Sequence, residues 1–242
     1  MEAVKRDTED GANLAPAPGL DAEHVRRARR AASDTGPDPV RAVWKYRRHA
    51  ARYDAAAAGT MALRRRTIAL LNLRPGEVVL DVACGTGLSF PMLLEGIGAT
   101  GTVIGVELSL QMLAHARARV AAHGWTNVTL IASAMERAEL PRGLLDAVLF
   151  NDTHDVLRSP AALERVFAHA RPGARVAAAG MKHPAWWLSP ARLWQLARAS
   201  RYVTTFEGLD RQWSLLERYV TGLEVTPVRL GTHYIAHARA RV

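Results

Sequence analysis

Several things are scarce in this 242-residue chain, and each scarcity removes a class of protein. There is one cysteine, Cys84, so no internal disulfide can form and a reducing, cytoplasmic setting is expected. No apolar run approaches the roughly eighteen residues of a membrane-spanning helix, and no signal-peptide pattern precedes the domain. A nucleic-acid enzyme would show a concentrated basic face with interleaved aromatics, a pattern not seen here. The formal charge is +9, yet the basic residues are nearly all arginine and are spread along the whole length. They read as solvated helix faces first, and as attraction to an anionic substrate or membrane surface second. No repeat is present beyond a local echo of Arg74-Pro75-Gly76 in Arg171-Pro172-Gly173. No metal-ligand cluster is expected.

What is present is an apolar content of 49%, enough for one large α/β domain with a buried core. The organising stretch is Val78 to Pro91, VVLDVACGTGLSFP. An apolar run ends in a carboxylate, Asp81, and a small-residue turn follows, Ala83-Cys84-Gly85-Thr86-Gly87, before an apolar helical segment. Strand, glycine-rich turn and helix in that order open a nucleotide-sized site at the carboxyl end of a strand in an open α/β sheet. A dinucleotide site needs a third glycine so that a pyrophosphate can lie on backbone N–H groups. Phe90 occupies that position, and Asp81 would repel the pyrophosphate. A cationic ammonium or sulfonium is welcome at the same place. Glu107, twenty residues after Gly87, stands where a carboxylate holds ribose hydroxyls. Two acids and a tight turn fit a ligand with a ribose and a positive charge but no phosphate, as in S-adenosylmethionine (SAM).

VLDVACGTG followed by GTVIGVELS resembles motif I and the next motif of class I SAM-dependent methyltransferases, in the ubiquinone/menaquinone-biosynthesis branch. The resemblance covers roughly residues 42 to 182. It implies a Rossmann-like, mostly parallel seven-stranded sheet with an antiparallel last strand and helices on both faces. It also implies that Asp81 orders the site around the methionine amino group, and that Ala83, Gly85 and Gly87 lie against the methionine and ribose. Asn151 joins the cofactor-binding set on the same ground. Family members often place an aspartate after the third strand for the adenine; here the row reads Ala132-Ser133-Ala134-Met135. Ser133 can serve as a neutral partner, or it merely ends the strand, and adenine recognition leans on the backbone at Ala134 and Met135.

Residues 1–38 carry mixed charge and little periodicity and read as a disordered or loosely attached arm. The methyltransferase domain is expected over 39–242. Val40 to Ala58 reads as a helix whose Tyr46 and Tyr53 either cover the methionine end of SAM and the acceptor or pack the helix onto the sheet. Met61 to Asn72 reads as a second helix. Strands are expected at Thr102–Glu107, Asn127–Ala132, Leu145–Phe150 and up to Met181, with a final pair at Leu223–Leu230 and Thr232–Ala238. Ser109 and Ser159-Pro160 are expected to start helices. Residues 184–222 read as a helical insertion on the acceptor side, with a helix marked by Leu209, Trp213, Leu216 and Val220.

The expected reaction is methyl transfer from SAM to a small organic acceptor, at oxygen, nitrogen or carbon, with release of S-adenosylhomocysteine (SAH). Displacement at a methyl group depends on alignment, and a base is needed only if the nucleophile arrives protonated. His154 after strand four and His183 after strand five are the proton-acceptor candidates, with ordinary loop roles as the alternative. Trp186 and Trp187 are candidates to line the acceptor pocket. A quinone or lipid-type acceptor at a membrane surface, and a SAM-binding regulator without catalysis, are the alternatives. Nucleic acid is not expected: Asn151-Asp152-Thr153-His154 lacks the prolines and aromatic of enzymes that methylate base amino groups. A short-chain nicotinamide oxidoreductase would show Tyr-x-x-x-Lys, which none of Tyr46, Tyr53, Tyr202, Tyr219 or Tyr234 begins. Peripheral membrane contact is compatible with the chain, and its oligomeric state is open.

Overall fold

The computed structural model describes residues 53–140, 145–182 and 208–241. The apolar run before the glycine turn forms β1 (Val78–Val82). It is flanked on one side by β2 (Thr102–Glu107) and β3 (Val128–Ala132). On the other side lie β4 (Leu145–Asn151) and β5 (Ala170–Met181), then β7 (His233–Ala240) and the edge strand β6 (Val220–Val228). The order is β3-β2-β1-β4-β5-β7-β6. Strands β1 to β5 pair in parallel, and β7 pairs antiparallel with both β5 and β6. The sheet is therefore mostly parallel with seven strands, and its last strand in sequence is antiparallel, as the resemblance implied.

Strands of a sheet covered on both faces are apolar at every position, because alternate side chains enter different cores. Leu80, Val82, Ile104 and Val106 point into one buried cluster, and Val79 and Val103 into the other. The second cluster is closed by α1 (Met61–Ala69), α2 (Phe90–Ile97) and α3 (Leu110–His123) through Ile68, Phe90, Leu93 and Leu113. The short α4 (His154–Leu157) and α5 (Pro160–Phe167) close the first through Leu157, Leu163 and Val166. Each fully buried leucine contributes about 1.5–3 kcal/mol relative to exposure.

Helix starts follow the expected caps. The Ser109 hydroxyl accepts the Met112 N–H at 3.3 Å, and Ser159 accepts from Ala162 at 3.3 Å ahead of Pro160. Gly124, in the left-handed region, ends α3.

Three expectations need correction. The helix from Met61 ends at Ala69 rather than Asn72, which turns at φ 44°. Arg171-Pro172-Gly173, which by its likeness to residues 74–76 reads as a turn ahead of strand five, lies inside that strand: Leu145 pairs with Ala170 and Ala147 with Arg175, so the tripeptide bulges out of β5. The helix expected from Leu209 to Val220 is instead two short 3-10 turns, Gln212–Ser214 and Leu216–Arg218, with Val220 already in β6. Leu209, Leu216 and Val220 are still buried and Trp213 is partly so, but single turns satisfy the burial without helical continuity. Among the described residues, no helix is long and apolar enough to cross a membrane.

Candidate active site

The carboxyl ends of β1, β2 and β4 meet around the turn that follows β1. Ala83, Gly85 and Gly87 all have positive φ, at 49°, 59° and 77°. A Cβ at Gly87 would come within 2.4 Å of the Phe90 ring. Phe90, the residue in the third-glycine position, is fully buried at the start of α2, so its ring fills the space beneath the turn. The turn is tied down by Cys84 N–H donating to Val106 O at 3.0 Å and Gly87 N–H donating to Cys84 O at 3.0 Å.

Asp81 and Glu107 flank this turn, 2% and 7% exposed. Glu107 accepts the Gly85 N–H at 3.0 Å on Oε2 and the Ser109 N–H at 2.7 Å on Oε1. A carboxylate has about four acceptor sites, so acceptor capacity remains on Glu107 for a further donor. Burial raises the Glu107 pKa, and the backbone N–H groups of Ser109, Gly85 and Leu108 oppose the rise. Burial also pushes Asp81 up to about 7, against the pull of the Arg64 guanidinium and the Ser89 hydroxyl. Cys84, held at the same turn, has its thiol raised by burial and by both carboxylates, so it is an inert packing group.

Arg64 is the central residue that composition and motifs did not single out. It lies on α1 and is 4% exposed. Its Nη1 donates to Ser89 Oγ at 2.8 Å, and its Nη2 lies 3.8 Å from the Asp152 carboxylate. One buried guanidinium thus faces Asp81 and Asp152, with Glu107 close by, and the site retains a negative surplus. Asp152 itself has φ 59°, a left-handed conformation that aspartate adopts more readily than most non-glycine residues. Among the described residues, Arg64 Nε, Asp81 Oδ2, Asn151 Oδ1 and Thr153 Oγ1 are buried without a hydrogen-bond partner. Such groups are rare in folded proteins and call for a ligand or water.

A second tie was also missed. Asp54 accepts from Thr86 Oγ1 at 2.5 Å and from Arg119 Nη2 at 2.5 Å, while Arg119 Nε donates to the Thr86 carbonyl at 2.9 Å. The segment at Tyr53 and Asp54 is thereby clasped over the turn. A Cβ at Gly85 would lie 3.9 Å from the Tyr53 ring. Arg64 could have been found from its register: with Thr67 and Ile68 it occupies i, i+3 and i+4 on the buried stripe of its helix. Asp54 and Arg119 are too far apart in sequence to suggest each other.

The remaining sequence candidates fall as follows. Ser133, half-buried at the end of β3, donates its hydroxyl to the Ala134 carbonyl at 2.9 Å and its N–H to the Glu107 carbonyl at 3.2 Å. The Met135 side chain is in the core, which leaves its backbone to face a ligand. Asn151 donates to Asp152 Oδ2 at 2.9 Å. His154 opens α4 with both ring nitrogens buried, not presented at an open surface. Tyr46, His183, Trp186 and Trp187 lie outside the described residues.

The strand order, with a site built from acids and a positive-φ turn at the strand ends, is the Rossmann-like fold of the class I SAM-dependent methyltransferases. The comparisons agree over the part of the chain that carries the site. Residues 79–173 match the family model described as a methyltransferase domain. Demethylmenaquinone methyltransferase of Symbiobacterium thermophilum is 34% identical over 114 residues, 46% of this chain and 45% of that protein. Ubiquinone/menaquinone biosynthesis C-methyltransferase of Burkholderia vietnamiensis is 36% identical over 115 residues, again 46% and 45% of the two chains. The chain spans under half the length of these curated relatives. A SAM-dependent methyltransferase of Aquifex aeolicus shares the fold at a TM-score of 0.54 and 22% identity, over 73% of this chain and 89% of that one.

Proposed function

We propose that this protein transfers a methyl group from SAM to a small organic acceptor and releases SAH. The observation that carries the reading is the pair of buried carboxylates, Asp81 and Glu107, on either side of a positive-φ turn at the ends of β1 and β2. The residues present fit the cofactor. Asp81 Oδ2 is a buried acceptor without a donor, suited to the methionine ammonium. Arg64 Nε is a buried donor without an acceptor, suited to the methionine carboxylate. Glu107 keeps acceptor capacity for the ribose hydroxyls, and Tyr53 covers the turn. The backbone at Ala134 and Met135, with Ser133 and Asn151, completes the cofactor side.

Bound SAM supplies an electrophilic methyl group on a sulfonium. The chain's own part is to hold that group in a negative, water-poor site and to align the acceptor with it, which is where displacement gains most of its rate. The acceptor side is assigned to Tyr46, Trp186 and Trp187, with His154 and His183 as proton acceptors where the nucleophile carries a proton. Replacing Trp186 and Trp187 together with alanine is expected to impair acceptor turnover while SAM affinity stays near wild type. The division into an arm at 1–38 and a domain from 39 onward is part of the same proposal, as is a cytoplasmic location.

A quinone-type acceptor is the second reading, favoured by the names of the curated relatives. The experiment is calorimetry with SAM, SAH and NAD, followed by SAH release over a panel of small phenols, amines and demethylated quinones. Binding of SAM with SAH release on one acceptor supports the proposal. Binding of SAM with no release on any acceptor supports a regulator, and binding of NAD alone refutes both.

A further inference from the structure

The end of the sheet away from Asp81 and Glu107 has a feature for which methyl transfer offers no use. The bulge at Arg171-Pro172-Gly173 stands out from β5, and Gly173 turns at φ 75°, where a side chain would be strained. The bulge walls a cavity of about 200 Å³ whose charged lining is Arg74, Asp146, Arg171, Arg175 and Arg239. A larger groove of about 350 Å³ adjoins it, sharing Asn72, Arg175 and Arg239 and running past Leu70, Thr221 and Ala238.

The arginines differ in their partners. Asp146 is spent on Arg171 at 2.6 Å and on the Val78 N–H at 2.9 Å. Arg175 is paired with Glu77 at 2.6 Å. Arg239 donates to a neutral group, the Gly173 carbonyl, at 3.2 Å. Among the described residues, no carboxylate pairs with the side chain of Arg74 or Arg239, so two guanidiniums carry uncompensated charge at one recess. Guanidinium groups match the geometry of phosphoryl oxygens and bind them in forked pairs. A polynucleotide would need a continuous basic track, and Glu224 lines the adjoining groove instead. That groove has a small floor at Ala238 and a 40% exposed apolar residue, Leu70, suited to an organic body rather than to a bare ion.

We propose that this recess binds the phosphoryl group of an organic phosphate, with Arg74 and Arg239 as its charge partners. The length of β4, seven residues, puts it about 20 Å from the turn at Gly85, so it is an accessory site and not part of the methyl-transfer site. The proposal stands independently of the methyltransferase reading. Two sources of the group are distinguishable, a soluble phosphate ester and a phospholipid headgroup.

The test uses the full chain and the double variant Arg74→Gln/Arg239→Gln, at fixed ionic strength. The probes are inorganic pyrophosphate, glycerol 3-phosphate, and vesicles of phosphatidylglycerol or phosphatidylcholine. The charge control is Arg65→Gln/Arg66→Gln, two exposed arginines on α1. Saturable binding of a soluble probe, weakened tenfold or more in the double variant and unchanged in the control, supports the site and assigns it to a phosphate ester. Binding of phosphatidylglycerol vesicles alone, lost in the double variant, supports it and assigns it to a lipid headgroup. Absence of binding to every probe overturns it, as does binding that survives the double substitution or falls equally in the control. Circular-dichroism spectra and thermal melts that match wild type report that each variant remains folded.

Discussion

The carboxylate of Glu107, at the end of β2, accepts the N–H of Gly85 in the turn after β1 at 3.0 Å. One side chain therefore both shapes the turn and presents its remaining lone pairs to a ribose. Glu107→Gln keeps the size but loses an acceptor and the charge. It is expected to weaken SAH binding by about 1–3 kcal/mol, the scale for a charged hydrogen bond lost in a buried place. Titration calorimetry on the folded variant checks this, and unchanged affinity would remove Glu107 from the site.

Arg64 gives a sharper test of cofactor orientation. Assigned to the methionine carboxylate, it has no part in holding the adenosine. Arg64→Gln is expected to weaken SAM and SAH about tenfold or more, while 5′-methylthioadenosine, which lacks the amino-acid moiety, binds as to wild type. Equal loss for all three ligands would make Arg64 a prop of the fold and nothing more.

Burial of Asp81 predicts a pH dependence with a definite sign. Burial pushes its carboxyl up to about 7 in the folded protein, well above the ordinary aspartate value of about 4. The folded carboxyl keeps a proton that the unfolded chain gives up, so its burial costs stability increasingly as pH rises from about 4 to about 7. A cationic ligand binds the carboxylate, so SAM affinity is expected to rise by up to about tenfold per pH unit below 7 and level off above it. Asp81→Asn should abolish the slope. A flat profile in wild type between pH 5 and 7 would contradict the assignment.

Ala83 sits at φ 49°, a conformation glycine adopts without strain. Ala83→Gly removes a cost of about 1–2 kcal/mol and adds about 0.4–1 kcal/mol of unfolded-state freedom. A thermal melt is expected to show a rise in Tm of about 1–4 °C, and a fall would mean that the Ala83 methyl is making contacts worth more than the strain.

The sequence was most informative where chemistry is local. The strand ending in Asp81, the glycine turn, Glu107 at the end of β2 and the serine caps of α3 and α5 follow from residues close to one another in the chain. The bulge in β5 was hidden because Arg171-Pro172-Gly173 has the composition of an ordinary turn, and its place inside a strand depends on pairing with β4. The Asp54–Arg119 clasp joins residues 65 positions apart, which no periodicity relates. Arg64 lay in between: the helical stripe it shares with Thr67 and Ile68 marks it as buried, but its partners come from β1, the start of α2 and the residue after β4.

The central claim is that the pocket around Asp81 and Glu107 binds SAM. The most direct measurement is titration calorimetry of SAH into the wild-type chain and into Asp81→Asn, with NAD as the control ligand. The account predicts one-to-one binding of SAH to wild type, binding weakened by about 1–3 kcal/mol in the variant, and no binding of NAD. Wild-type protein that gives no saturable binding of SAH, or a well-folded Asp81→Asn that binds it as tightly as wild type, would contradict it.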